Sequence, residues 1–371
     1  MGEPSDQNKT EHHESQPDFS ANLDILRASA VLLVLASHAV SMASNRHHLE
    51  SWGDYALCGG RIGVLLFFVH TSLVLNFSLA RLASSMSSWE LFRIFLVRRV
   101  FRLHPLNILC VLLVVAFSIP GVPWGETAPR HSWGTVFANM TLTSDLFDRP
   151  VVLAPMWTLP IEMQMYVAMP FIFMLLGTAR DTRIALGVWL FAAVVGWMQP
   201  PLARWLSVID CGPCFLAGTV AYTLSGRYTQ RLASFLWTPF LLVMLYVFFV
   251  VQQRAPEGVG NAGLQWAFCL IIGFAIPAFH GSRVALVNYL ANRISRYSYG
   301  IYLFHTIALW IGCTVLRDQP ELVQWVVVLA VLSVLSIGSY HLLEKPAIDL
   351  GIRLTAASPR PEPLEAATLS N

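Results

Sequence analysis

Charge is scarce in this chain: Asp, Glu, Lys and Arg make up 12% of 371 residues, against 55% apolar residues and a mean hydropathy of +0.57. That balance excludes an ordinary soluble globular domain and points to an all-α polytopic membrane protein. Cysteine is sparse too. The six are scattered, with Cys110, Cys269 and Cys313 inside apolar runs, so no disulfide framework is readable. Cys211 and Cys214 form one C-x-x-C with no second pair, a poor zinc site, and no metal is expected. No Walker, Rossmann, H-E-x-x-H or G-x-S-x-G pattern fits the apolar runs, and no long repeat is present. The first 20 residues, MGEPSDQNKTEHHESQPDFS, lack the apolar core of a cleavable signal peptide and read as a disordered polar tail. Residues 351–371 read as a second disordered tail, leaving 21–350 as one transmembrane domain with no soluble catalytic domain appended. The net charge of +2 says little about partners; no nucleic-acid partner is expected.

What the chain does have is apolar runs of spanning length. About ten are visible, near 23–44, 60–80, 100–119, 156–176, 184–199, 211–225, 235–252, 263–280, 297–316 and 322–343, the fifth and sixth being short. The loops between them differ in basic content. Sixteen of the 24 Lys and Arg residues fall on one side, among them Arg81, Arg98, Arg99, Arg180, Arg227 and Lys345, and only six on the other. Retained loops carry the basic excess, so both termini are expected in the cytoplasm. The outer loop, about 120–155, is rich in Pro, Trp and Gly and suits a lid or cavity entrance.

Several polar residues sit where lipid would penalise them. Arg27 and His38 share the first run, LDILRASAVLLVLASHAVSMAS. Eleven residues at about 100° each place them on one helix face, roughly 16 Å apart along the axis. Intramembrane ionisable groups usually mark a functional path, so one end of this helix suits an anion and the other a proton. Packing for His38 and snorkelling for Arg27 are the alternatives from position alone. The second run carries His70, Thr71, Ser72 and Asn76 within two turns. At the cytoplasmic mouth of the third, Arg98, Arg99 and Arg102 suit either headgroups or the phosphates of a bulky anionic cosubstrate. Glu162 follows Pro160 in the fourth run, where the proline removes a backbone donor and is expected to free a carbonyl, and Tyr166 shares the glutamate's face. Tyr299, Tyr302 and His305 cluster in the ninth. Asn76 and Asn139 match the glycosylation pattern, which is common by chance.

In chain order, LDILRASAVLLVLASH, GVLLFFVHTSLVL, VRRVFRLHP, APMWTLPIEMQMYVAMP, CFLAGTVAY, YSYGIYLFH and LLEKP resemble the motifs of acyltransferase family 3, the integral membrane O-acyltransferases of surface polysaccharides and secondary metabolites. The resemblance spans about 23–350. It implies acyl transfer from acyl-CoA, acetyl-CoA by default, to a hydroxyl of a carbohydrate, glycolipid or other envelope or secreted acceptor, at a bacterial cytoplasmic (inner) membrane. No tightly bound cofactor is implied. The Arg-x10-His pair, here Arg27 and His38, stands at the centre with Glu162. Arg98, Arg99 and Arg102 hold the donor, and His70, Thr71, Ser72, Tyr302 and His305 are candidates for the acceptor side or its support. One piece departs from the family: where relatives read FF-x-x-SGF, this chain has Thr71, Ser72 and Leu73, preceded by His70. A rival reading from another class is a multi-span transporter using buried Arg, His and Glu as a relay, although the runs show no inverted halves.

Overall fold

The computed structural model describes residues 20–47, 50–83, 86–125, 130–177, 180–198, 206–254 and 259–356. The polar N-terminal tail lies outside the described residues apart from Ser20, and so does everything beyond Ala356. The described chain is helical throughout, with one isolated β-bridge, Leu232 to Phe279. Its helices are α1 (Ser20–His47), α2 (Glu50–Ala83), α3 (Ser88–Ala116), α4 (Trp133–Met140), α5 (Thr158–Leu176), α6 (Thr182–Trp197), α7 (Val208–Leu224), α8 (Trp237–Arg254), α9 (Val259–Ala275), α10 (Ala285–Leu309), α11 (Glu321–Ser339) and α12 (Lys345–Leu354). Wider π turns prolong α10 over Trp310–Val315 and join α11 to α12 over Tyr340–Glu344.

Eight of these helical stretches are long and apolar enough to cross a membrane, and α6 and α7 are shorter apolar helices, so the protein is an all-α polytopic membrane protein. The helices fall on the apolar runs, but three start well ahead of them, α2 at Glu50 being ten residues before its run. α3 begins at Ser88 and α10 at Ala285, twelve residues before the apolar stretches that mark them. Arginines in these leading turns hide them from a hydropathy reading while supporting helix as well as leucine does. The C-terminal boundary also moves. Residues 351–354 are helical rather than part of a disordered tail, because Gly351 brings α12 against Phe101 and Thr355 caps α12 while accepting from Arg98 Nε at 2.8 Å.

α2 and α10 form the centre of the bundle, while α8 and α11 are mostly exposed on its flank. α1 packs between α2 and α10, and α7 packs against α2, α6 and α9. Small residues allow the close approaches, as expected where lipid offers no hydrophobic drive between helices. A Cβ on Gly63 would meet Ala30 O at 2.6 Å and Val34 Cγ2 at 2.9 Å, and one on Gly218 would overlap Val69 O and meet Ser72 Cβ at 2.7 Å. The 120–155 loop is pinned from within: Asn139 Nδ2 donates to Thr135 O and Pro150 O, both at 2.9 Å, and Asn139 Oδ1 accepts from Val152 N at 3.1 Å. Asn76 is fully buried and its amide nitrogen is committed, donating to Ser72 O at 2.9 Å and Thr219 Oγ1 at 3.1 Å. Neither asparagine is presented for glycosylation.

Gly218→Val is expected to destabilise the α2–α7 seam by about 1–3 kcal/mol through overpacking. Thermal melting of the detergent-purified protein checks this, with Gly187→Ala, whose added Cβ has nothing within 4 Å, as a neutral control.

Candidate functional site

Five helices converge on a half-enclosed cavity of about 70 Å³. At roughly 10–15 Å³ per water, it holds on the order of five waters or a small organic group. α1 contributes Arg27, α2 His70 and Thr71, α3 Arg99 and Arg102, α5 Thr158, Glu162 and Tyr166, and α10 Ser298, Tyr299 and Tyr302, against apolar walls from Phe67, Phe68, Leu75 and Leu159.

Most of these side chains are tied to the scaffold. Arg27 Nε donates to Ser298 Oγ at 2.7 Å, and that hydroxyl donates to Ser295 O at 2.8 Å. Arg99 donates to Ser78 Oγ at 2.7 Å, with its guanidinium 5.2 Å from the Phe95 ring centroid and 6.0 Å from that of Tyr166. The Tyr166 hydroxyl donates to Glu162 one turn back. Tyr299 OH donates to Leu103 O at 2.8 Å, and Tyr302 OH donates to Pro155 O at 2.6 Å while accepting from Thr158 Oγ1 at 2.7 Å. Pro160 lies in the first turn of α5, where its missing N–H costs no helical bond. Tyr302 instead reaches the carbonyl of Pro155, in the short 3-10 turn Ala154–Trp157 just before α5.

Arg102 is different: its guanidinium makes no hydrogen bond or ion pair with the described residues. Glu344, at the end of the π turn and 3% exposed, is close enough to Arg102 and Arg27 to attract both, yet its Oε2 has no hydrogen-bond partner. Three guanidiniums against two carboxylates leave the cavity a receptor for an anion or a carbonyl-rich guest.

A second polar cluster lies further along α1. His38 is half-buried and meets His305 of α10, with ring centroids 4.8 Å apart and His305 Nε2 3.3 Å from His38 Nδ1. His305 Nδ1 lies 2.7 Å from Tyr302 O and 3.2 Å from Ile301 O, and His38 Nδ1 lies 3.0 Å from Val34 O. A ring nitrogen facing a carbonyl must carry the proton. His305 is therefore protonated on Nδ1, its Nε2 accepts, His38 Nδ1–H is shared between Val34 O and His305, and His38 Nε2 keeps its lone pair. This tautomer pattern is assigned from the hydrogen-bond network. Tyr302 joins the two clusters, its ring 6.1 Å from that of His305.

The shared face read for Arg27 and His38 is the face of α1 turned to α10, which meets the one through Ser298 and the other through His305. The cavity gathers Arg27, His70, Thr71, Arg99, Arg102, Glu162 and Tyr302, while His38 and His305 pair outside its lining. Two candidates point elsewhere. Ser72 is buried in the α2–α7 seam, 3.2 Å from Thr219 Oγ1, because it lies on the face that Gly218 approaches. Arg98 is turned to α12 by Thr355 rather than to the cavity. Ser298 and Thr158 were missed because neither carries a charge, although both lie within quoted motif pieces, YSYGIYLFH and APMWTLPIEMQMYVAMP. Glu344 had one, a carboxylate inside the last helical stretch, within LLEKP.

A family model described as an acyltransferase domain matches residues 20–341. Among similar proteins is one of Bacillus subtilis provisionally named peptidoglycan O-acetyltransferase YrhL, 26% identical, covering 93% of this chain and 57% of its own length. Another, of Komagataeibacter xylinus and provisionally named membrane-bound transacylase BcsY, is 24% identical over 91% of this chain and 85% of its own length. The peptidoglycan O-acetyltransferase OatA of Listeria monocytogenes is 25% identical over 88% of this chain and 56% of its own length. The chain thus spans little more than half the length of two of these relatives. No solved structure matches it.

Arg98→Ala removes a scaffold hydrogen bond and is expected to cost about 1 kcal/mol. Arg102→Ala removes a half-buried guanidinium that holds no hydrogen bond with the described residues and is expected to leave the melting temperature about unchanged. Parallel melts of the two variants check the contrast.

Proposed function

The chain belongs to acyltransferase family 3, and on that premise we propose that it is an integral membrane O-acyltransferase that moves an acyl group from acyl-CoA, acetyl-CoA in the first instance, to a hydroxyl of an envelope acceptor. The names of two relatives favour a peptidoglycan-like or other carbohydrate polymer as that acceptor. A bacterial cytoplasmic membrane, with the donor entering from the cytoplasm, fits this reading. The observation that carries it is the His38–His305 pair, whose hydrogen bonds leave His38 Nε2 as a basic nitrogen beside a cavity rich in arginine.

In this scheme the donor's anionic and carbonyl groups occupy the cavity near Arg27, Arg99 and Arg102, and its thioester points past Tyr302. His38 Nε2 takes the proton of the acceptor hydroxyl as the oxygen attacks the thioester carbon. Val34 O and His305 Nε2 both accept from His38 Nδ1–H, which holds the ring in place as it becomes an imidazolium. Collapse of the tetrahedral oxyanion then breaks the C–S bond. CoA leaves as thiolate, and the proton it takes up balances the one that His38 releases. Ester and free CoA thiol are the products, with no net proton gained or lost. Glu162, held by Tyr166, keeps the guanidiniums oriented and limits their repulsion in the empty cavity.

His38→Ala is expected to lower acyl transfer by about 10²–10⁴-fold, the range for loss of a general base, without loss of folding. Release of CoA thiol from acetyl-CoA by purified wild type and variant, with envelope extract as acceptor source, checks this. Near-normal transfer by a folded His38→Ala protein would end the scheme.

A further inference from the structure

His70 is the cavity side chain that this scheme leaves without a task. It is 5% exposed, it lines the cavity, and its Nδ1 is buried with no hydrogen-bond partner. A buried ring nitrogen without a partner is a loss that folded proteins seldom carry without a return elsewhere. The side chain is not there by slack packing. On one side of α2, Gly218 closes on Val69 and Ser72, the neighbours of His70, and on another Gly63 closes on Ala30 and Val34 of α1. The register of α2 therefore presents position 70 to the cavity, facing the charged side chains of Arg27 and Arg102.

The two ring nitrogens are not equivalent. In the neutral ring, a proton on Nδ1 would be a buried donor with nothing to receive it. A proton on Nε2 leaves Nδ1 as an unmet acceptor, the smaller loss. Nε2–H is then the donor that the ring can offer a guest. What it recognises must accept without donating back: a phosphate, carboxylate or carbonyl oxygen qualifies beside two guanidiniums, and the acyl and pantetheine end of the donor offers carbonyls alone. A thioester donor carries such oxygens in two places, the thioester itself and the amides of the pantetheine arm.

We propose that His70 is a donor-recognition residue whose Nε2–H hydrogen-bonds a carbonyl oxygen of the thioester substrate beside Arg27 and Arg102, an inference that rests on the acyl-CoA reading above.

Steady-state CoA release from acetyl-CoA tests it, using protein in nanodiscs with envelope extract and three forms: wild type, His70→Phe, which keeps a ring and loses the donor, and His70→Gln, which returns an N–H at similar reach. His70→Phe is expected to lose about tenfold or more in kcat/KM, and His70→Gln to recover most of it, with unchanged melting and pH profile. A fall in kcat at constant KM assigns the bond to the thioester carbonyl; a rise in KM at constant kcat assigns it to a pantetheine amide. Should the Phe variant not fold, His70→Leu provides the donor-free form. Full activity in a donor-free variant overturns the inference, as does equal damage from the Phe and Gln changes. Wild type that neither binds acetyl-CoA by calorimetry nor releases CoA would instead sink the acyl-CoA reading, and this inference with it.

Discussion

Polar groups held away from water must find partners inside the bundle, and in this chain α10 supplies them for α1. Ser298 takes Arg27, and His305 takes His38. These two contacts sit on one face of α1 and set its register against α10. Glycine then lets α2 close on α1 from another side, and a second glycine lets α7 close on α2. Every polar side chain that α2 brings to the cavity depends on this sequence of close approaches, because a helix turned by one residue would carry His70 and Thr71 about 100° away from it.

The outcome is two chemical environments at different depths, joined by one tyrosine. The arginine-lined cavity suits recognition of a charged, carbonyl-bearing donor, and the imidazole pair suits proton transfer. Tyr302 belongs to both, hydrogen-bonded to Pro155 and Thr158 on the cavity side and edging the His305 ring on the other. Under the proposed scheme, keeping His38 out of the arginine cluster has a physical advantage. Guanidiniums close by would oppose the imidazolium that a general base must become.

Much of this was legible in the sequence. Apolar runs of spanning length marked the helices, and a period of 3.6 residues put Arg27 and His38 on one face. Arg99, Arg102, Glu162 and His70 stood out because a charge or imidazole in an apolar run needs a reason. What stayed hidden depended on pairwise packing. Nothing in FLVRRVFRLHP distinguishes Arg98 from Arg99, although one serves α12 and the other the cavity; the difference is a turn of about 100° and the presence of Thr355 some 257 residues away. Ser72 looked like a cavity residue because Thr71 is one, but neighbours in a helix face different partners. Ser298 did not stand out because a serine in a helix is ordinary until an arginine is found on it.

The π turn over Tyr340–Glu344 decides where the last carboxylate points. The buried face of α11 runs through Gln324, Val328, Leu332 and Ser336. Eight residues at about 100° each would leave Glu344 about 80° away from Ser336, and the wider turn closes that gap. Glu344, Gly351 and Thr355 then form one stripe against α3. Chain length at this point thus works as a coordinate: one residue more or less would rotate everything after it while leaving hydropathy and composition untouched. Insertions and deletions between Ser336 and Glu344 therefore bear on this site as directly as substitutions do.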